Sequence, residues 1–419
     1  MTILGVDDTD SRDHGMCTTY VAFQIAQQLQ DESAKLMLIR LNPGVIHKTR
    51  GNAAVAISTT CATTTAFETA VDIINELAEL SDPHAQPGLV VAPSTFDAIP
   101  KTISEFSLNA IRSLHEKETA VDLIEENGYL SSSWNGGRGL IGALAAIGAH
   151  NALNEWTYEY ITYRDKTLWG TKRTVDPNSV FEASNEFYPS VWDSFDKNGD
   201  YPVCVPRTPC PVLYGIRGET PYAVEEMAKK IKSEPPTCGT VFTTNQGTDA
   251  HIQPGQIGFL EEGHSYSVDG IVSSKPYTIE GGHVFFKLQG ESKEILCSAF
   301  EPTKQFRNYV RNLDCGDELT ACGEVTNGTL KLEKFAVRNL VTTKTENPIC
   351  TICNDRMESS GRSQGYRCRN CGTKSSHKLH VHYPRAIHIG WYEVPPCARR
   401  HLAKPLIRGG FDSMSHPEI

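Results

Sequence analysis

Three carboxylates stand directly behind the first apolar run of the chain. Asp7, Asp8 and Asp10 follow the predicted strand Ile3–Val6 within four residues. Carboxylates this close repel one another, and a bound Mg²⁺ removes that repulsion. Because the end of a strand is also where α/β folds place their ligands, the cluster indicates a site for a metal and a nucleotide. A solvated loop with capping side chains is the alternative.

The segment that follows enters a helix. Gly15–Thr19 reads as a loop whose backbone N–H groups are suited to phosphate, and periodicity predicts a helix from about residue 18 to residue 30. Thr18 or Thr19 either caps this helix or accepts a phosphoryl group. Composition alone favours the cap.

A second phosphate-binding candidate lies between two apolar strands. Lys48, Arg50, Gly51 and Asn52 combine two cations with a flexible glycine. Such a loop is suited to clamping a triphosphate or an RNA phosphate. An ordinary surface turn is the alternative.

A glycine-rich stretch precedes a helix of small residues. Gly137, Gly139 and Gly142 match the dinucleotide fingerprint, but no strand and no clean βαβ unit precede them, so we do not predict a nicotinamide cofactor. With Arg138 beside Gly139, the helix N-terminus is instead a candidate phosphate cradle.

The strongest local signal is a pair of CxxC motifs. Cys350, Cys353, Cys368 and Cys371 have the spacing of a zinc ribbon, with fourteen residues between the two pairs. Four thiolates complete a tetrahedron, so the sequence predicts a structural Zn²⁺ without an open position for water. Six basic side chains between residues 356 and 378 are placed as phosphate contacts would be.

Four segments of different pattern carry these motifs. Residues 1–150 alternate strands and helices, including a buried strand Gly88–Ala92 and a helix over 104–126, and predict a layered α/β domain. Residues 151–250 follow a βαββαβ order, the ferredoxin-like arrangement. Residues 251–343 run as three strands, a helix and two strands, the order of an OB-fold barrel. Residues 344–419 hold the ribbon and a basic tail.

Composition narrows the class of protein. The chain has 419 residues, 39% of them hydrophobic, and no stretch of about twenty uncharged apolar residues that predicts a membrane span. Thirteen cysteines without a signal peptide fit a reducing cytoplasm. The net charge is −10, yet residues 344–408 contain twelve Lys or Arg against four Asp or Glu. This asymmetry predicts that one end docks nucleic acid.

Six strings in chain order resemble the archaeal isoleucine-tRNA 2-agmatinylcytidine synthetases, the TiaS family. They are GVDDTDS, GMCTTY, KTRGN, GRGLIGALAAIGA, PCPVLYGIRGE and the four-cysteine ribbon. The resemblance implies a kinase-like domain, a ferredoxin-like domain, an OB fold and a zinc ribbon. It also implies that ATP and agmatine are used to replace the C2 oxo group of the wobble cytidine in an isoleucine tRNA with a CAU anticodon.

The same resemblance implies roles for individual residues. Asp7, Asp8 and Asp10 would hold Mg²⁺ and orient the attack on ATP, and Thr18 would be the threonine that becomes phosphorylated. The cations at positions 48, 50 and 138 would contact phosphates. The sequence identifies no agmatine-binding residue and no obligate protein partner.

Two other classes of function stay open. An OB fold with a zinc ribbon also occurs in nucleic-acid-binding proteins without catalysis, although such a protein would leave the DDTDS and KTRGN loops without a role. A small-molecule kinase or ligase is the third class. The chain has no P-loop, protein-kinase or HExxH motif, so any ATP site must be atypical.

Overall fold

The computed structural model describes residues 1–48 and 51–417. The N-terminal elements are β1 (Thr2–Asp7), α1 (Thr18–Gln28), β2 (Lys35–Arg40), β3 (Ala53–Thr59), α2 (Thr63–Leu77), β4 (Gly88–Ala92), α3 (Lys101–Arg112), α4 (Lys117–Glu126), β5 (Leu130–Ser133) and α5 (Leu140–Ala152). No helix in these described ranges is both long enough and apolar enough to cross a bilayer.

The N-terminal strands form an antiparallel sheet in the order β5-β4-β1-β3-β2. Alternate strand side chains point to opposite faces. One face packs on α3, α4 and α5, and the other packs on α1 and α2. A methyl group on Gly5 of β1 would lie 1.9 Å from the carbonyl oxygen of Ala143 in α5. The small residues of this segment therefore allow α5 to lie directly against the central strand.

The single helix expected over 104–126 is wrong, because the structure has two helices there. The chain is extended at Ser113, the C-cap of α3, and again at Glu116, the N-cap of α4. The ring of His115 packs 4.7 Å from that of Phe106, which turns the connection back onto α3. A tertiary contact thus interrupts a continuous helical pattern.

The next segment extends the same sheet. Its elements are β6 (Thr157–Tyr163), α6 (Pro177–Phe187), β7 (Val191–Trp192), β8 (Phe195–Asp196), β9 (Tyr201–Pro202), β10 (Val212–Gly218), α7 (Pro221–Lys230) and β11 (Cys238–Thr244). Four strands are antiparallel in the order β11-β6-β10-β7 and share a core with α6 and α7. Two residue pairs join β11 to β2 in parallel, which makes one nine-stranded sheet.

A closed five-stranded barrel follows. Its segment contains β12 (Ile252–Pro254), β13 (Ser265–Val272), β14 (Tyr277–Thr278), β15 (Val284–Gln289), β16 (Glu294–Ala299), α8 (Phe306–Arg311), β17 (Glu318–Thr326) and β18 (Thr329–Asn339). The barrel closes in the order β13-β15-β16-β18-β17-β13. Phe306 and Val310 of α8 are fully buried in its core.

The ribbon segment follows β18, the last barrel strand in the chain. A two-stranded stalk pairs β19 (Thr343–Glu346) with β23 (Leu379–His382), and between them lie β20 (Glu358–Ser359), β21 (Tyr366–Arg367) and β22 (Lys374–Ser375).

After the stalk the chain returns to the body. β24 (Gly390–Glu393) pairs with β18 of the barrel, and β25 (Ser415–His416) lies parallel to β24. The basic residues after the stalk therefore belong to a packed segment of the chain. Residues 394–408, which we call the strap, bury Val394, Leu402 and Leu406 to about 2% exposure. The strap packs against the body because apolar side chains are interspersed among its basic ones.

Candidate active-site cleft

One cleft of about 580 Å³ lies where the N-terminal sheet, the second segment and the strap meet. Most of the site residues predicted from separate stretches of sequence line it together. These are Asp7, Asp8, Asp10, Thr18, Lys48, Gly51, Asn52, Arg138 and Gly139. Arg50 lies outside the described residues.

The acidic cluster is held in a tight, poorly solvated turn. Asp7 ends β1, and Asp8 adopts the left-handed conformation with φ 60°. The Asp8 N–H donates to Oδ1 of Asp7 at 2.7 Å, and the Gln86 N–H donates to Oδ2 of Asp8 at 3.1 Å. Burial and then the charge of Asp8 raise the pKa of Asp7. Burial also raises the pKa of Asp8 to about 7.

These carboxyl groups fit a divalent cation. Hard oxygen ligands that are clustered and desolvated are unfavourable when charged and unpaired, and Mg²⁺ offsets that cost. Asp10 is 8% exposed and lines the same cleft.

The glycine-rich stretch brings the start of α5 against this cluster. A methyl group on Gly142 would lie 1.9 Å from Oδ2 of Asp7, and one on Gly139 would lie 2.5 Å from the Gly88 nitrogen. Glycine is required at both positions for close approach. The fingerprint-like spacing therefore serves packing at the cleft wall, with Arg138 lining the cleft beside it.

Thr18 is the first residue of α1, and it does not cap the helix. Cys17 is the N-cap, and no side chain completes the cap with a hydrogen bond, so the expectation that Thr18 or Thr19 caps this helix is wrong. The Thr18 Oγ1 instead accepts hydrogen bonds from the hydroxyl of Thr9 at 3.2 Å and from its N–H at 3.4 Å. This draws the hydroxyl of Thr18 toward the acidic turn.

The loop around Lys48 is braced by its own backbone. Lys48 donates to the carbonyl of Pro43, and the Asn52 side chain donates to the carbonyl of Asn42 at 2.7 Å. Burial and the nearby Arg400 guanidinium lower the pKa of Lys48. The loop thus presents a partly desolvated ammonium at the cleft wall.

Several cleft residues escaped the sequence analysis. Arg40 of β2 lies with its Nη2 3.9 Å from Oε2 of Glu159 on β6, and Arg217 of β10 lines the same wall. The one local sequence signal for these residues is that each is a charged side chain inside, or at the end of, an apolar strand. His401 and Arg399 come from the strap, which no short-range pattern connects to the cleft.

Buried ion pairs fix the strap in place. Arg399 pairs with Asp193, and its Nη2 lies 2.9 Å from Oε1 of Glu393, with all three side chains at most 3% exposed. Arg400 pairs with Glu324, and its Nε lies 3.4 Å from Oε1 of Glu333. The basic side chains of the strap therefore attach it to the second segment and to the barrel.

The four ribbon cysteines are gathered for one ion. Their Sγ atoms all lie within 4.8 Å of one another, and Cys350 and Cys368 are buried. This donor set fits tetrahedral Zn²⁺. Six basic side chains of the ribbon are exposed, unlike those of the strap: Arg356, Arg362, Arg367, Arg369, Lys374 and Lys378.

Family models match three parts of the chain. A TiaS TCKD domain model matches residues 3–63, a TiaS FLD domain model matches residues 137–251, and a TiaS C-terminal zinc ribbon domain model matches residues 347–387.

Whole-length relatives carry one name. The isoleucine-tRNA 2-agmatinylcytidine synthetase TiaS of Haloquadratum walsbyi is 48% identical over all of both chains, and that of Methanosarcina mazei is 45% identical over 97% of both. A crystal structure of TiaS in complex with its isoleucine tRNA and ATP is 40% identical with a TM-score of 0.89 over 99% of both chains. A complex of TiaS with the same tRNA, AMPCPP and agmatine is 37% identical with a TM-score of 0.87, over 99% of this chain and 98% of that one.

Proposed function

The chain belongs to the TiaS family, and from that premise we propose how its cleft uses ATP to join agmatine to the wobble cytidine of an isoleucine tRNA. The enzyme is a tRNA 2-agmatinylcytidine synthetase, an ATP-dependent ligase. The observation that carries the mechanism is the convergence of the acidic turn, Thr18 and the Lys48 loop on one cleft.

Phosphoryl transfer depends on charge placement more than on covalent help from the protein. Asp7, Asp8 and Asp10 would hold Mg²⁺, which neutralises charge that develops on the triphosphate. Lys48 and Arg138 approach from other walls of the cleft and contact phosphate oxygens. The N-terminus of α5 adds the positive end of its helix dipole, which favours an anion.

Thr18 is the proposed phosphoryl acceptor of the chain itself. Its hydroxyl lines the cleft together with the carboxylates, and its hydrogen bonds to Thr9 fix the direction of Oγ1. An oxo oxygen is a poor leaving group, so the C2 oxygen of cytidine must also be phosphorylated before an amine can displace it. Agmatine then bonds to C2 and phosphate leaves.

The agmatine guanidinium needs a carboxylate that the metal does not use. In the part of the cleft that the structure describes, Glu159 is the one carboxylate outside the acidic turn. It is 7% exposed and lies on β6, where its Oε2 accepts from the Gln246 side chain and lies 3.9 Å from Nη2 of Arg40, so agmatine would share this carboxylate with both. We assign Glu159 to the guanidinium end of agmatine.

The other parts of the chain are proposed to grip tRNA. Strands of the second segment lie in the sheet order 4-1-3-2 of a ferredoxin-like fold, and the barrel strands lie in the order 1-2-3-5-4 of an OB fold. We divide the chain into a kinase-like domain (1–150), a ferredoxin-like domain (151–250), an OB fold (251–343) and a ribbon with the returning strap (344–419). We place the enzyme in the cytoplasm, where its tRNA is.

The test is the identity of the product nucleoside. After incubation with ATP, Mg²⁺, agmatine and an unmodified isoleucine tRNA transcript with a CAU anticodon, mass spectrometry should find cytidine with agmatine in place of the C2 oxygen. Thr18→Val should remove radiolabel transfer from γ-labelled ATP to the protein, and Thr19→Val is the matched control. A wild-type enzyme that turns over ATP without an agmatine adduct would contradict the proposal.

A further inference from the structure

His401 is a cleft residue that the proposed roles leave unused. It lies on the strap and is exposed to the cleft, and it also borders an adjoining cavity of about 230 Å³ next to Lys48 and Gly51. Its Nε2 lies 4.0 Å from the point that a Cβ on Gly51 would occupy. No side-chain hydrogen bond from the described residues engages its ring nitrogens. The imidazole is therefore available to a substrate.

The backbone that carries this ring is rigidly held. On one side Arg400 pairs with Glu324 of the barrel, and on the other Leu402 is 2% exposed within the N-terminal core. The carbonyl oxygen of His401 accepts a hydrogen bond from the Gly247 N–H at 2.7 Å. A reactive group on fixed backbone keeps its geometry without an ordering cost when substrate binds.

The surroundings keep the ring neutral. The positive charges of Arg40 and Arg217 lower the pKa of His401 well below 6.5. The other charged groups that line these cavities are Asp7, Asp8, Asp10, Lys48, Arg138, Glu159, Arg207, Arg399 and Arg400. A neutral imidazole binds phosphate less well than the neighbouring arginines do, but it has a lone pair that can take a proton.

The amination step needs such a group. When the agmatine nitrogen bonds to C2, it carries a proton that it must lose. The carboxylates of the acidic turn are committed to the metal and Glu159 to the guanidinium. The imidazoles of His47 and His115 also line the cleft, but the ring of His115 packs 4.7 Å from that of Phe106, and of the three only His401 also borders the cavity next to Lys48.

We propose that His401 is the proton acceptor for the agmatine amine, an inference that rests on the proposed function. The bond from the amine nitrogen to C2 forms, and the bond from C2 to the phosphorylated oxygen breaks. Phosphate leaves with the electron pair of that bond. A ring nitrogen of His401 takes the proton from the amine nitrogen and later returns it to water.

Separate measurement of the two half-reactions tests this. Using the full-length enzyme with its isoleucine tRNA, His401→Gln and His401→Ala should transfer label from γ-labelled ATP within about twofold of wild type. Formation of the agmatine adduct should fall by roughly 10²–10³-fold, the size of a lost general base. Because the pKa of His401 is lowered, the amination rate of the wild type should hold through pH 6.5 and decline only well below it, as the ring gains a proton, and the variants should lack this limb.

A nucleophile that loses its proton more easily sharpens the test. With an aminooxy analogue of agmatine, the deficit of His401→Gln should shrink to about tenfold or less, because the base is then less needed. His150→Gln, at the end of α5 remote from Gly139, is the matched histidine control and should behave as wild type.

Three results would overturn the assignment. They are amination by both variants within threefold of wild type, an equal loss of the ATP-dependent step, and an unchanged deficit with the aminooxy analogue. A wild-type enzyme that forms no agmatine adduct refutes the proposed function instead. His401→Gln preserves the size of the side chain, so the test does not depend on whether His401→Ala folds.

Discussion

The zinc ribbon and the active-site cleft are built on opposite principles. The ribbon gathers four ligands from twenty-two consecutive residues, and its buried cluster contains Cys350, Met357 and Cys368. The cleft gathers its lining from residues 7 to 401 and rests on several large cores. The ribbon is therefore specified locally and stabilised by its ion, whereas the cleft is specified by the packing of the whole molecule.

The two regions also use charge differently. In the ribbon the thiolates stabilise the fold once zinc is bound, and the basic side chains are exposed. In the cleft the carboxylates of the acidic turn oppose one another, while the strap uses its basic groups in buried ion pairs. The carboxylates proposed to serve catalysis thus cost stability, whereas the ion pairs of the strap, far along the chain, contribute to it.

Of these substitutions, Asp8→Asn in the acidic turn should have the largest effect on activity. It should lower agmatine-adduct formation by at least roughly 10³-fold, because a metal contact worth several kcal/mol is lost. The pKa of Asp8 is raised in the folded state to about 7 from 3.8. Folding therefore loses stability as pH rises from 3.8 to 7, and without Mg²⁺ at pH 8 the variant should be more stable by roughly 1–2 kcal/mol.

Asparagine makes this a clean substitution. It tolerates the left-handed conformation at position 8 and keeps an acceptor for the Gln86 N–H. Urea unfolding and tRNA filter binding complete the measurement, and tRNA affinity should be nearly unchanged. If the Asp8→Asn variant were less stable than the wild type, the acidic turn would instead contribute to the stability of the fold.

Arg399→Met tests the strap. The change removes the guanidinium that pairs with the buried carboxylates of Asp193 and Glu393, and we expect the unfolding free energy to fall by about 3 kcal/mol. Arg369→Met is the matched control because the pair of Arg369 with Glu358 is exposed, so its loss should cost less than about 0.5 kcal/mol. If urea titrations gave the same loss of unfolding free energy for both variants, the ion pairs of the strap and of the ribbon would contribute equally to stability.

Cys350→Ser, or removal of zinc by a chelator, should damage the ribbon alone. Affinity for tRNA should fall by roughly 10–100-fold, with a shallower salt dependence, because exposed cations no longer face phosphates in one arrangement. ATP binding and the unfolding of the remaining body should be unchanged. Zinc content by atomic absorption and tRNA affinity at two salt concentrations check this, and full zinc content in the variant would contradict it.

Glu333→Gln should have the smallest effect. The neighbouring His251 imidazole and Arg400 guanidinium outweigh burial and lower the pKa of Glu333 to about 2 from 4.5. The carboxylate therefore stabilises the fold above pH 4.5, and this contribution is lost as pH falls through 2. The variant should be roughly 1–2 kcal/mol less stable at pH 6, and the difference should shrink at pH 3. A difference that does not change with pH would assign the effect to packing.

Local patterns predicted the local structure well. The strand Gly88–Ala92 has the predicted bounds, and the four cysteines converge as their spacing predicts. The family resemblance is confirmed over the whole chain. The cap at Thr18 was wrong because hydrogen bonds to Thr9 compete with it.

Long-range features could not be predicted in the same way. The pairing of β2 with β11 involves only two residue pairs, too few to leave a pattern in either strand. His401 and Glu159 reach the cleft because of packing far from them in sequence. Their roles, like those of the acidic turn, stay predictions until the variants are measured.

The late position of the strap in the chain has a consequence for synthesis of the protein. The acidic turn leaves the ribosome early, and His401 follows nearly four hundred residues later, which takes roughly 20–80 s at about 5–20 residues per second. During that time the nascent chain holds the acidic turn without the strap that lines the other wall of the cleft. If His401 has the proposed role, a chain that ends before residue 394 should form no agmatine adduct.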